Sequence, residues 1–581
     1  MRIDRLLDYC KSGSLQNAIA LLESPRTSAI TSDPLVYASL LQTSVKSQSL
    51  ACGLQLHARV LKWSLDTDRF IGNILLSLYF KLCNDARSTR KIFDSLSHAD
   101  AISWTSMLSA YVKENAPQNA LHLFVQMLAS GIPPSSFSFS AAIKAAADDR
   151  NLAAGRSFHC QVVFRGFKSN CVICSSLINM YGRNCAVGDA RMVFDEISEP
   201  DPICWTGIVS AYSRNELYAK AMGFFVVSLR RRVCLLDEFT YGCVITACGN
   251  LRWVTRGREV HGKAVVSGFN DNVFVNSGLV DMYGKMKLLG DSRLVFDRMS
   301  VRSSVTWSAL LDAYCQNGDY EAVLGIFREP GSYDLHSFGS VLRACSGMGA
   351  LRSGKEVHCQ YVKCDNQNYV VIESALVDLY AKCGCVDLAS RVFNQMPERN
   401  LITWNAMING FALNSRPYDA LRLFNDLIVN RRPDHISFLG ALFACGHSGL
   451  VEEGRKLFFS MRDDYEIRPR IEHFNCVVDL LGRAGLHEDA ERLIRDGEFK
   501  NELSLWVILL GACAAGGNSC AGERIANRMI DLNPYHYVSY IYLANLYRAI
   551  GRWDDATNIR KLMHERGFHK ITAKSWIPAT K

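Results

Sequence analysis

What most constrains this chain is that it repeats itself. The stretch 370–411, VVIESALVDLYAKCGCVDLASRVFNQMPERNLITWNAMINGF, has close copies at 73–111, 175–212 and 277–314. Apolar residues recur at helical spacing over 375–382 and 386–396, which predicts two short helices. The Cys383-Gly384 pair between them is a break that a helix does not continue through cheaply. Neither helix can bury its apolar face alone, so the pattern calls for hairpins stacked on hairpins. A new copy begins at Leu401, after Pro397 as a stop and Asn400 as a cap. Each copy leads to a tryptophan (Trp104, Trp205, Trp307 and Trp404), and these lie roughly 100 residues apart, room for several hairpins. Between them sits a different module marked by Gly-x-x-x-His: Gly53/His57, Gly155/His159, Gly257/His261 and Gly354/His358. The cycle is therefore three modules long.

A chain of 581 residues would ordinarily divide into about four globular domains. The repeat overrides that count, because stacked hairpins bury one continuous core through nearest-neighbour contacts. An apolar content of 49% and a charged content of 21% fit such a stack, and no run approaches a membrane span, so no membrane partner is expected. The 21 cysteines fall at helix-interior positions such as Cys248, Cys345, Cys445 and Cys513, which predicts buried reduced thiols. Cys171-x-x-Cys174 opens a helix and lacks the second pair that a metal site needs. A net charge of +8 permits a polyanion partner without requiring one. Arg230–Arg232 and Arg431-Arg432 read as solvated loop faces.

In chain order, 1–33 reads as a degenerate capping repeat. Asp4, Asp8 and Glu23 are out of place in a transit peptide, so no clear leader is read here: the import signal is cryptic or the beginning is missing. Modules follow without a linker: 34–68 of the Gly-x-x-x-His type, 69–100 of the opening type, and 101–135 of the tryptophan type. The triplet recurs from Ser136, Cys171 and Pro202, from Glu238, Val273 and Ser304, and from Leu335, Val370 and Leu401. A last pair spans 435–470 and 471–502.

This alternation resembles the P, L and S motifs of plant pentatricopeptide repeat proteins of the PLS class. The stretch LWVILLGACAAGGN after Glu502 resembles that family's E1 motif, and YIYLANLYRAIGRWDDATNIRKLMHERGFHKITAKSWI resembles E2. The resemblance implies an all-α fold, a right-handed superhelical solenoid of helix-turn-helix repeats over 34–502, then E1 over 503–534, E2 over 535–577 and a tail at 578–581. It also implies that the second residue of each motif stacks on RNA bases: Phe70, Ile102, Phe137, Val172, Ile203, Phe239, Phe274, Val305, Val371 and Ile402. His336 and Glu472 depart from that apolar rule.

Base identity is expected to be read by the fifth residues Asn73, Thr105, Ser175, Thr206, Ser277, Ser308, Ser374 and Asn405. Their partners at motif ends are Asp100, Ser135, Asp201, Asp237, Ser303, Asp334, Asn400 and Asp434. Capping accounts for the second set, since each precedes a helix. It does not account for the fifth residues, which lie inside a helix where Ser, Thr and Asn are mediocre formers. On the family's code, Asn with Asp favours U, Thr or Ser with Asp favours G, and Ser with Asn favours A.

The recurring histidines lie one triplet apart along an extended stack and so do not converge on one ion, which makes them packing residues. The tryptophans, each at the fourth position among apolar neighbours, are read as core rather than as stacking platforms. No metal or organic cofactor is expected, and no catalytic residue. A zinc deaminase needs His-x-Glu and Pro-Cys-x-x-Cys, yet none of the 14 histidines is followed two residues later by Glu. The function expected is recognition of single-stranded organellar RNA for C-to-U editing in the mitochondrion, or alternatively the chloroplast. A monomer is expected, with a DYW-type deaminase acting in trans through E1/E2 and further organellar editing factors as partners. The competing readings are an RNA processing, stability or translation factor and a protein-binding scaffold of the tetratricopeptide kind. An enzyme ranks last.

Overall fold

A computed structural model describes residues 2–12, 14–23, 33–65, 68–83, 85–96, 99–231, 236–331, 333–363 and 369–566. The end of the expected E2 motif and the tail at 578–581 lie outside these residues, as does part of the expected capping repeat. The described residues hold 34 α-helices and no strand. They divide into two compact units, Met1–Arg302 and Ser303–Lys581. The first contains nine antiparallel helical hairpins, from Arg2–Lys11 with Leu15–Glu23 to Val273–Lys285 with Leu289–Arg298. The second contains eight, from Ser304–Gln316 with Tyr320–Phe327 to Tyr537–Ala549 with Trp553–Glu565. Within each unit the first helix of a hairpin packs on the first helix of the next, which is the stacked arrangement of a solenoid.

The repeat copy chosen above shows how the sequence makes a hairpin. Its helices are Val370–Lys382 and Val386–Gln395. The first begins five residues before the expected start at 375. Val370, Val371 and Ile372 are poor intrinsic helix formers and Tyr369 supplies no side-chain cap, so the local signal is weak there. Packing decides instead, since Ile372 is fully buried. Gly384 breaks the helix as expected, with φ of 79° in the left-handed region. The same turn recurs between first and second helices along the chain, and Cys185, Glu216 and Lys287 adopt it without being glycine. Asn400 caps Leu401–Leu413 by accepting from the Thr403 amide at 2.9 Å.

The Gly-x-x-x-His signature is a packing device. A Cβ on Gly53, Gly155, Gly257 or Gly354 would come under 3.0 Å from Leu78, Met180, Met286 or Leu379 respectively, so the second helix lies hard against the next first helix. One turn on, the histidine Nδ1 meets a tyrosine hydroxyl of that same neighbour. The pairs are His57–Tyr79, His159–Tyr181 and His261–Tyr283 at 2.9 Å and His358–Tyr380 at 2.8 Å, each 22 residues apart. Burial pushes the His159, His261 and His358 rings below the ordinary imidazole range. Trp104, Trp205, Trp307 and Trp404 are buried, three of them edge-on to Phe93, Phe194 and Phe393. Cys248, Cys345, Cys445 and Cys513 are fully buried thiols, pushed up by burial to about 12, 11, 12 and 11. Near the C-terminus the buried Glu491 accepts from Arg495 at 3.0 Å and from Arg524 at 2.7 Å, tying helix His487–Asp496 to Ser519–Leu532.

Candidate nucleic-acid interface

Residues two and five of a helix lie three apart and so share one edge. In this chain that edge is where apolar side chains face outward. All ten expected stacking residues are exposed: Phe70, Ile102, Phe137, Val172, Ile203, Phe239, Phe274, Val305, Val371 and Ile402, from 49% at Val172 to 69% at Phe137 and Ile402. Burial is the rule for large apolar residues in these helices, so a row of exceptions in one register is informative. Leu35 and Ile436 occupy the same second position and are also exposed, yet the sequence reading passed over them; register alone would have found both. His336 and Glu472 are exposed too, so the two departures change the chemistry of the row and not its accessibility. Phe274 leans on Phe239, ring centroids 5.5 Å apart, and fills the notch left by Gly242, the fifth residue of its module.

The motif-end partners of the fifth residues serve as the caps that the sequence suggested. Asp100, Asp201, Asp237, Asp334 and Asp434 accept from the amide three residues on, at 2.8 to 3.0 Å, and Ser135 and Ser303 accept there at 3.2 and 3.3 Å. Fifth residues then reach the cap of the following helix. Asn73 Nδ2 donates to both Asp100 oxygens at 3.2 Å, Asn405 Nδ2 to Asp434 Oδ1 at 3.0 Å, and Thr206 Oγ1 to Asp237 Oδ1 at 3.1 Å. Ser308 donates to Asp334 in the same way. Thr105 and Ser374 reach Ser135 and Asn400 through one intervening hydroxyl, of Ser138 and Thr403. Ser175 is brought to no such contact with Asp201: it donates to its own helix at Val172 O, 3.0 Å. Ser277 and Ser303 belong to different units; Ser277 donates to Val273 O at 2.7 Å, and Ser303 caps its own helix.

These contacts lower the pKa of Asp100, Asp334 and Asp434. Burial alone would push Asp434 up, but the Ser437 amide and hydroxyl, Asn405 and the nearby His435 together bring it below the ordinary carboxylate value. Burial acts on Asp334 and Asp100 likewise and is outweighed by Ser308 and Ser337 in one and by Ser103 and Asn73 in the other. Asp434 Oδ2 and the second amide hydrogen of the buried Asn405 have no partner among the described residues.

A further member of the register was missed by sequence reading. Asn475 is the fifth residue of Ile471–Arg483, and its Oδ1 is buried with no partner among the described residues. The remaining sequence candidates have structural explanations. Among the described residues no cluster could hold a metal ion. Cys174 is buried, directs its thiol to Lys168 O at 3.1 Å, and is pushed up by burial to about 11. Arg231 lies over the Trp205 ring at 5.8 Å, and Arg432 donates to Tyr465 O at 2.7 Å.

Comparison with known proteins places these features in a family. A model of the PPR repeat matches 172–199, 203–232, 305–329, 374–401, 402–431, 437–465 and 472–498. A second PPR repeat model matches 99–148, and an E motif model matches 518–578. A pentatricopeptide repeat-containing protein of Arabidopsis thaliana is 49% identical over 577 residues, 99% of this chain and 95% of the relative. Two more from the same plant, one named chloroplastic and one mitochondrial, are each 32% identical; the chain spans 61% and 56% of their lengths while 88% and 98% of it is matched. The maize pentatricopeptide repeat protein PPR10, solved in complex with an 18-nt psaJ RNA element, is similar in fold with a TM-score of 0.58 at 16% identity, covering 97% of this chain and 92% of that one.

Proposed function

From a chain that belongs to the pentatricopeptide repeat family, with a row of outward apolar residues and a parallel row of held polar pairs, we propose a sequence-specific binder of single-stranded RNA. Its role is to mark a cytidine for C-to-U editing in a plant organelle. The observation that carries the reading is the coincidence of the two rows: exposed apolar second residues, and in six modules a polar fifth residue held to the next cap directly or through one hydroxyl. An exposed apolar side chain gains free energy when a flat apolar surface covers it, and every base offers such a face. The pair beside it reads the edge. At Asn405 and Asp434 the free amide hydrogen is a donor and Asp434 Oδ2 an acceptor, which complements the O4 and N3–H of uracil. A peptide groove has no use for both rows. That PPR10 was solved with RNA supports the ligand class.

The editing role, the mitochondrion with the chloroplast as alternative, and a DYW-type deaminase docking on 503–577 belong to the same proposal. The E motif match at 518–578 and the two relatives named for organelles support them. The chain acts as a monomer and brings no catalytic group of its own; purified protein given zinc should convert no cytidine. The test has two parts. Binding to single-stranded RNA should weaken steeply as salt rises, because phosphate contacts release counterions. Organellar transcripts compared with and without the protein should then differ at one or a few edited cytidines. Altered transcript ends or abundance with editing intact would make it a processing or stability factor instead. Deleting 503–581 should spare RNA binding and abolish editing.

A further inference from the structure

The fifth residues are usually not free to turn, and what holds them is a third residue that the reading of bases does not include. Within the two units, six of the helices that follow a polar fifth residue carry a hydroxyl at the third position, Ser103, Ser138, Thr240, Ser337, Thr403 and Ser437, all with 0% exposure. Each hydroxyl touches the fifth residue of the preceding module and the cap of its own helix at once. Ser437 Oγ donates to Asn405 Oδ1 at 2.6 Å and lies 2.9 Å from Asp434 Oδ1. Ser103 does the same to Asn73 and Asp100 at 2.6 and 3.0 Å. Thr240 lies 2.7 Å from both Thr206 and Asp237, and Ser337 lies 2.7 and 3.0 Å from Ser308 and Asp334. Thr403 and Ser138 bridge Ser374 to Asn400 and Thr105 to Ser135.

The chain supplies its own controls. Where the fifth residue is Ala38, Gly242 or Gly339, the next third residue is Ile71, Val275 or Ile372. Where a polar fifth residue meets a third residue other than Ser or Thr, the bridge is missing. Cys204 follows Ser175, and its thiol turns to Cys171 O at 3.9 Å. Leu505 follows Asn475, whose Oδ1 is the orphan described above. Ile173 follows Ser140, which pairs sideways with Ser176 at 2.8 Å.

We infer that the buried third-position hydroxyl is a positioning residue for base recognition: it fixes which way the preceding fifth side chain points. The chemistry is most specific for asparagine. An amide can flip, exchanging donor for acceptor at the groove. A hydroxyl donating to Asn405 Oδ1, with Asp434 accepting from Nδ2, permits one orientation only. Without the hydroxyl, Asn405 Oδ1 loses its donor and Asp434 alone holds the amide, so the side chain turns more freely and the discrimination between bases falls. The inference rests on the RNA-binding reading above.

The test uses full-length protein and a random-sequence pool of single-stranded RNA, selected and sequenced so that each module's base preference is read separately. Ser437→Ala should lower the preference at the nucleotide facing Asn405 and Asp434 by about fivefold, the scale of one hydrogen bond, and leave the neighbouring nucleotides unchanged. Ser437→Thr, which restores the hydroxyl, should retain the preference. Cys204→Ser should sharpen the preference at Ser175 and Asp201 by a similar factor. This gain of function guards against a merely misfolded variant. Unchanged profiles in Ser437→Ala and Cys204→Ser, or an equal loss for all four bases in Ser437→Ala, would overturn the inference. Failure of the unaltered protein to select any sequence would overturn the RNA-binding reading itself.

Discussion

The hairpins of the repeat array and the two at the C-terminal end share one scaffold and differ on one edge. In the array, Leu401–Leu413 has Trp404 in its core, Ile402 exposed at the second position and Asn405 at the fifth. At the end, Leu503–Ala515 has Trp506 buried in the same place, but Ser504 stands second and Val507 fifth. Tyr537–Ala549 likewise buries Tyr540, with Val538 second and Ile541 fifth. Glu502 and His536, at the cap positions, give no side-chain bond to the helix amides. The difference teaches that fold and recognition occupy separate positions of the same module. Residues facing inward are kept, whereas the polar fifth residue gives way to Val507 and Ile541 in these two hairpins and the apolar second residue to Ser504 in the first.

The largest effect should come from the positions both regions share. Trp205→Ala in the array and Trp506→Ala at the end should each cost about 3–5 kcal/mol, the range for emptying a buried tryptophan site. Urea denaturation followed by hydrogen exchange would localise the loss to each hairpin. A much smaller cost at Trp506 would mean that the terminal scaffold is not equivalent. The next effect should separate the regions. Ile402→Asp should lower RNA affinity by about 1–3 kcal/mol, the worth of one stacked base, with thermal stability unchanged because the side chain is already exposed. Val538→Asp should leave RNA affinity as it was. Equal losses from both would erase the distinction drawn above.

Acid sensitivity sharpens the same contrast. The histidines His159, His261 and His358 have folded pKa values below their unfolded value of about 6.5. Their contribution is therefore complete above that pH and is lost as pH falls through the folded values, because the unfolded chain takes up protons first. In the terminal region the corresponding tyrosine, Tyr547, bonds to Glu523 at 2.7 Å instead. Melting followed by residue-resolved hydrogen exchange between pH 7 and pH 5 should show the array loosening on acidification. The tyrosine partner is not part of that titration, so a terminal region that loosens first would contradict the assignment. The smallest effect concerns the turns. The terminal hairpins use Gly517 and Gly551 in the left-handed region, as the array does at Gly318, Gly384 and Gly485, whereas Cys185 and Lys287 hold that conformation without being glycine. Lys287→Gly should raise stability by about 0.5–1 kcal/mol through relieved backbone strain, measured as a rise in melting temperature.

Much of this was legible in the sequence because a repeat displays its own register. The breaks, the caps at Asn400 and Asp434 and the buried tryptophans follow from local pattern, and the second residues were singled out by the family resemblance. What escaped depends on contacts between modules. Gly257 and His261 announce themselves as a pair, but the tyrosine that explains the histidine lies 22 residues on. Ser437 read alone is an ordinary first-turn serine, and only its approach to Asn405, 32 residues earlier, gives it a second task. Helix Val370–Lys382 began earlier than its local signal because the burial of Ile372 outweighs weak propensity. Asn475 needed only consistent counting.

The central claim is that a fifth residue and the cap it touches select one base. The most direct measurement is the affinity of the unaltered protein and of Asn405→Thr for two RNAs that differ only at the nucleotide facing that module, U in one and G in the other. The account predicts that the unaltered protein prefers U and the variant prefers G, each by about 1–3 kcal/mol, the scale of one specific base contact. If Asn405→Thr weakens binding to both RNAs equally, Asn405 only packs between modules, and the account is contradicted.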